Sequence, residues 1–563
     1  MKNIALKYMI AAAFITGLCG LSSCEKNFGS INTDPSVVTT PDVKFLLSYS
    51  EDRLITYQGG EWVWEAMEQL WRFTQHVTSD PYELSSNVNA RYNAYYQQIL
   101  PNLFEIRKQI AQKPDKDSYQ KMGAITYIIQ VLQGIKVTDM NGSIPYAQAE
   151  QGRYAGDYSP AYDTQPVLFD TWLHQLDSTI TILENNSLPN QQSYGAADIF
   201  YGSDWTKWVM LANTIKLRIA ARLENQDKSK TQSIFQEVMK DPIGPISNDD
   251  AQLSYSSDFL PFGTSGDIDY RSPRYASASI MKFMKASDDP RLPIYFEKNG
   301  LQGDFKDTLS KYHITLPSFI DINDPLVMYQ GGPADWTIDP TYASYIKNPV
   351  TVGTNRYFLI SHINRKFFSP RYNGNTSGVF TEIMVTNAES CLLVAEFIEK
   401  GYAGGVDTHG SAEDWYNKGI TSSIKTMNSI AVAAASTTAY TGDGTAMIDA
   451  YLADPEVKFN GVNDLERIYI QQYLNLYRNP VEAFVFCRRT GYPKYGSAYY
   501  PREPFHETIP RRWWTIDPGE VNRAHWNDAL NEEGFTPNAQ DVPTLNKERV
   551  WYDKTAPDFG GGK

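Results

Sequence analysis

A chain of 563 residues, 42% of them hydrophobic, is long and apolar enough to fold into a packed body and is not a disordered sequence. Its formal net charge of -14 argues against a nucleic-acid partner, because neutralising phosphates needs a basic surface. Four cysteines without a CxxC pair argue against a disulfide scaffold and against a zinc or redox motif of that type.

Residues 1–23 read as an export signal. Lys2 and Lys7 give a positive end, and Met9 to Leu21 form an apolar run too short for an ordinary membrane span. Leu21-Ser22-Ser23-Cys24 leads small residues into a cysteine, the pattern before which a bacterial lipoprotein peptidase cuts, so Cys24 is the expected lipidation site. Acyl chains there, at about 0.8 kcal/mol per buried methylene, anchor a protein firmly. Residues 24–40 are polar and turn-rich, a lipidated stalk, and residues 41–563 are expected to form a single domain. After Cys24 no apolar run approaches bilayer length. Cys391 and Cys487 lie in apolar helical patterns and are expected as buried free thiols.

The body opens with a helix behind Pro41 and Asp42 that carries Phe45, Leu46, Tyr49 and Arg53. Residues 61–77 keep helical spacing through Trp64, Met67, Leu70, Trp71 and Thr74, and residues 79–89 break it with Pro81, as a surface loop does. Paired helices follow at 91–112 and 118–137, then behind a Thr164 cap with Pro166, then at 204–223. In the last, Trp205, Trp208, Ala212, Ile215, Ile219 and Leu223 form a stripe, with Lys207, Lys216 and Arg222 off it. Helices return at 382–400 and 412–427. Helix–turn–helix units of a few dozen residues, over about 91–224 and 382–428, predict an all-α fold: an α-solenoid of tetratricopeptide-like helix pairs. Residues 240–380 and 490–563 are rich in turn residues and aromatics, a long-loop half with a few short strands, one of them around 357–361. Arg218 and Arg222, spaced i, i+4, are expected in structural ion pairs; Arg488 and Arg489 are expected to be structural or, if exposed, to meet a partner; His76 and His525 are expected at the surface or at caps.

Several stretches, in order, carry a family resemblance. They are Cys24 with Asn27-Phe28 and Ile31-Asn32-Thr33-Asp34-Pro35; Asn141-Gly142-Ser143-Ile144-Pro145-Tyr146; Pro160-Ala161-Tyr162-Asp163; and Trp208 to Arg218. Asp289-Pro290-Arg291-Leu292-Pro293, Glu389, Ala395-Glu396, Arg488 to Pro493 and Ile509-Pro510-Arg511-Arg512 complete the set. Together they resemble the SusD/RagB outer-membrane nutrient-binding lipoproteins of Bacteroidetes. The resemblance implies a helical scaffold of four tetratricopeptide-like pairs with a loop-rich binding half, anchored in the outer membrane and facing the cell exterior. It implies a lid on a SusC-like TonB-dependent transporter that captures oligosaccharide or, in the RagB branch, peptide. Surface-exposed members often carry several acidic residues after the lipidated cysteine; here Glu25 alone precedes Lys26.

A sugar ring offers an apolar C–H face and a rim of hydroxyls, so its site needs an exposed aromatic platform with short polar side chains and arginine. Trp336, with Asp335 beside it, fits best; Tyr82 and Asn87 lie in the first long loop; Tyr342, Tyr345 and Arg365 share the irregular region. Asn32 and Asp34 are placed to close one side. HExxH, GxSxG and GxxxxGK[ST] are absent, the seven histidines are scattered, and neither a metal nor a cofactor is expected. The expectation is non-catalytic glycan capture. Its competitors are peptide uptake by backbone pairing, glycoside hydrolysis, and a purely structural assembly role.

Overall fold

The computed structural model describes residues 41–55, 61–257, 274–335, 339–370 and 377–559. Asp42 caps the first helix, α1 (Val43–Asp52), its carboxylate accepting from the Lys44 N–H at 2.9 Å. α1 buries Val43, Leu46, Leu47 and Ser50, whereas Phe45 is 75% exposed. Phe45 and Tyr49 therefore do not share the face of Leu46. The face that meets α2 (Leu100–Gln112) is the i, i+3, i+4, i+7 set that starts at Val43.

Glu61–Leu70 winds as a π-helix before a short α-turn at Trp71–Phe73. A second π turn, Tyr95–Ile99, precedes α2, in whose first turn Pro101 lies. Proline lacks an N–H and its ring crowds the carbonyl four residues back, and the wider turn accommodates it. α3 (Gln120–Asn141) ends at Gly142, with φ +73°, whose N–H returns to the Thr138 carbonyl. α4 (Gln165–Glu184) has Pro166 in its first turn; Thr164 holds the cap position without a side-chain cap bond. α5 (Trp205–Leu223) starts at Asp204 and α6 (Lys228–Lys240) at Asp227, each carboxylate accepting from the first-turn N–H groups. α2 packs on α3, α3 on α4, α4 on α5 and α5 on α6, the succession of paired helices expected of this fold class.

The strands are short. β1 (Val77–Thr78), β2 (Leu253–Ser257), β3 (Tyr275–Ala276), β4 (Val350–Val352), β5 (Asn355–Tyr357) and β6 (Phe380–Val385) form three antiparallel pairs among the described residues: β1 with β3, β2 with β6, β4 with β5. Helix α7 (Pro340–Lys347) lies in the same loop-rich region. The helical spacing assigned to 382–385 does not hold, because those residues belong to the buried strand β6. Both of its faces are covered, and the Thr386 hydroxyl accepts from the Glu389 N–H, so α8 (Asn387–Glu399) begins only after it. α9 (Ala412–Ala433) packs on α8. α10 (Thr445–Ala453), α11 (Asp464–Asn475) and α12 (Pro480–Thr490) are three further helices that periodicity left unassigned, and α11 packs against α8.

One large apolar core runs through α1 to α6, α8 and α9. A second gathers the π-helix, residues around 276–296 and 363–383, α11, α12 and the Trp513-Trp514 pair. Charged side chains cross between helices inside these cores. Arg222 is bidentate on Asp139 at 2.9 and 2.7 Å and also reaches Glu482; Arg218 holds Glu389; Arg489 holds Glu396, which Lys400 also meets. Lys216 and Arg222 lie off the apolar stripe of α5 but are not at the surface, since that helix is packed by neighbours on its other side as well. Arg488 and Arg489 are likewise buried, as is each of the free thiols Cys391 and Cys487. His76 is a correction: it is fully buried, stacked on Tyr473 at 3.9 Å, and not a surface or capping residue.

Candidate functional site

The loop-rich half is rooted on a small ribbon. Thr78 pairs with Tyr275, Tyr275 bridges His362, and Phe296 bridges Ile363, all antiparallel, while Ser277 bridges Gly332 in parallel. In such an alternation, the chain after Thr78 and the chain after Ile363 leave from the same end. The first is the loop with Tyr82 and Asn87; the second carries Arg365. The Thr78 hydroxyl donates to the Pro333 carbonyl at 2.7 Å, which brings the Gly331–Asp335 segment to the same root. Gly331 is required there: a Cβ on it would stand 2.5 Å from the Ser277 carbonyl oxygen.

Tyr82 is half-buried, and its carbonyl accepts from the Gln69 side chain at 3.2 Å. Asn87 is exposed at the start of a 3-10 turn, and two residues on Asn89 is buried against Trp514. Asp335 is buried, its Oδ2 accepting from the His506 backbone N–H at 2.9 Å. Tyr342 lies flat on Phe319 with centroids 3.8 Å apart, and Tyr345 meets the same ring edge-on at 5.9 Å. Both tyrosines ride on α7, which Asp339 caps from the Thr341 and Tyr342 N–H groups. Burial raises the Tyr342 hydroxyl above its ordinary range, and the Glu503 carboxylate adds to the effect. Trp336, Cys24, Asn32 and Asp34 lie outside the described residues.

Arg365 stands apart from Tyr342 and Tyr345. Its Nε and Nη2 donate to Glu297 at 3.1 and 2.6 Å, on the wall of a pocket of about 430 Å³ that Lys366, Ser436 and Thr437 also line. A second pocket of about 540 Å³, between the Asp288–Pro293 turn and α10, has an apolar floor of Leu326 and Met328 with Met447 opposite. Lys298, which lines it, follows Glu297 directly, so the two pockets flank the chain just after the Phe296 bridge. Sequence reasoning missed Glu297 and the C-terminal segment around Glu503, which sits under the Asp335 loop. A lone glutamate in an irregular stretch carries no periodic signal, and its partners are remote in sequence. Among the described residues no group of three His, Cys, Asp or Glu side chains is placed to hold a metal ion, and no helix is long and apolar enough to cross a membrane.

The arrangement brings the Tyr82–Asn87 loop and the Gly331–Asp335 segment to one root. The family model described as starch-binding, associating with outer membrane, matches residues 39–514. The chain belongs to the SusD-like family. Similar solved structures include a chitin-binding protein, at 21% identity with a TM-score of 0.66, covering 91% of this chain and all of that one. A chitin-binding SusD homologue from Flavobacterium johnsoniae matches at 18% identity and a TM-score of 0.64, covering 92% of this chain and 100% of its own. A SusD homologue from Bacteroides fragilis matches at 17% identity and 0.65, covering 91% and 100%. No curated protein matches. At these identities the structural likeness establishes the SusD fold, and the glycan named for each neighbour belongs to that neighbour.

Proposed function

We propose that this SusD-like chain is a non-catalytic outer-membrane lipoprotein that captures oligosaccharides and delivers them to a SusC-like TonB-dependent transporter. Residues 1–23 are its signal peptide, Cys24 its lipidated end, 24–40 its stalk, and 41–563 one binding body on the cell exterior. Binding is by stacking of sugar rings on loop aromatics, with hydroxyls paired by the polar side chains beside them. The observation that supports this reading is the common root of the Tyr82–Asn87 loop and the Asp335 segment that leads to Trp336, joined by the Thr78–Pro333 hydrogen bond. Arg365, with a guanidinium held by Glu297, is a further hydroxyl-pairing group just after the Ile363 bridge.

Affinity electrophoresis through glycan-containing gels tests the assignment. Tyr82→Ala and Trp336→Ala each reduce retardation by a glycan that slows the wild-type protein, at an unchanged melting temperature. Retardation equal to wild type removes that ring from the site.

A further inference from the structure

Three segments far apart in sequence meet beneath the candidate loops. Gln75, at φ +63° two residues before β1, turns its side-chain amide onto the backbone of Glu503. Its Nε2 donates to the Glu503 carbonyl at 2.9 Å, and its Oε1 accepts from the Glu503 N–H at 3.1 Å. The Glu503 carboxylate faces the other way. One oxygen accepts from the Ala334 N–H at 2.6 Å and the other from the Ser279 hydroxyl at 3.2 Å. Three residues on, the His506 N–H donates to Asp335 at 2.9 Å. The segment is itself pinned: Arg502 donates to the Phe73 carbonyl at 2.7 Å, and the Tyr495 hydroxyl to the Glu503 carbonyl at 2.7 Å.

We infer that Glu503 is a positioning residue for ligand binding, a clamp that ties the Ala334–Asp335 segment to the Gln75 turn and so fixes the spacing between the Tyr82–Asn87 loop and the Gly331–Asp335 segment. This rests on the glycan-site reading above. The reason is geometric. Groups on two separate loops can meet one oligosaccharide only if their separation is held closely, and a loop ordered before binding loses less entropy on binding. A carboxylate that accepts from a backbone N–H is among the stronger hydrogen bonds available for this. A left-handed non-glycine residue at Gln75 persists where its surroundings over-determine it, and the paired bonds to Glu503 supply that determination.

The test compares Glu503→Ala with Glu503→Gln, whose amide oxygen still accepts from Ala334, and with Gln75→Ala, which removes the opposite half of the clamp. Two readouts are taken: hydrogen exchange of the amides in 79–89 and 331–335, and affinity for maltoheptaose and chitohexaose. The expected result is faster exchange in both loops and at least about tenfold weaker binding of whichever probe the wild-type protein takes, for Glu503→Ala and Gln75→Ala. Glu503→Gln is expected to recover most of both. Exchange unchanged in both loops for both alanine variants would overturn the clamp. Faster exchange with unchanged affinity would overturn the positioning role and remove these loops from the ligand site. If the wild-type protein binds neither probe, the exchange arm still decides the clamp, and the choice of glycan fails separately.

Discussion

His76 stands between Thr74 and Tyr473, its Nδ1 2.8 Å from the Thr74 hydroxyl and its Nε2–H donating to the Tyr473 carbonyl at 2.8 Å. Burial lowers its pKa to about 3 from an ordinary 6.5, so the folded protein holds it neutral. Unfolded chains take up this proton near pH 6.5 and folded ones only near pH 3. The stabilisation from neutral His76 is therefore complete above pH 6.5 and is lost as the pH falls through that window. Comparing urea unfolding of wild type and His76→Gln from pH 7 to pH 4 should show an extra wild-type slope of up to about 1.4 kcal/mol per pH unit. Parallel pH profiles would show that His76 does not titrate on unfolding. Nothing beside His76 in the sequence betrayed its burial, because the ring that covers it lies almost 400 residues away. Arg218, Arg222 and Arg489 were legible as structural, since cationic side chains on otherwise apolar helices need buried carboxylates. Which carboxylates they meet was not legible. At Glu396, burial works to raise the carboxyl, but Arg489 and Lys400 outweigh it and hold the group well below its usual range.

At the scale of elements, helices with one apolar stripe and a capping Asp or Thr were readable to within a few residues, α4 and α5 best of all. Elements covered on several sides were not. β6 and α11 bury most of their residues whatever their period, and short strands paired across long loops leave no local pattern. The candidate site shows the same division. The break in periodicity at 79–89 marked the Tyr82 loop, but the bonds of Thr78 to Pro333 and of Ala334 to Glu503 come from tertiary pairing alone. Gly331 tests how tightly that pairing is packed. A Cβ there would also lie 2.6 Å from the Ala278 Cα, and these backbone atoms cannot rotate away as a side chain would. Gly331→Ala is expected to cost about 1–3 kcal/mol and to loosen the Ser277–Gly332 bridge. Thermal unfolding checks this, and a melting temperature equal to wild type would mean that the ribbon is free to shift.

Taken as a whole, the molecule joins a helical scaffold cross-braced by buried ion pairs to a loop-rich half whose roots are fixed by short strands and single hydrogen bonds. The fold is shared with similar solved structures at about one residue in five identical. The pockets beside Arg365 and Met447 lie where that loop-rich half meets α10 and the chain after α9. The ligand class is the most direct test of glycan capture. Calorimetric titration of a soluble form beginning after Cys24, against plant, microbial and host oligosaccharides and a mixed peptide digest, measures it. The account predicts heat with one class of glycan and none with the peptides. Heat with the peptides alone would contradict it and move the protein to peptide uptake.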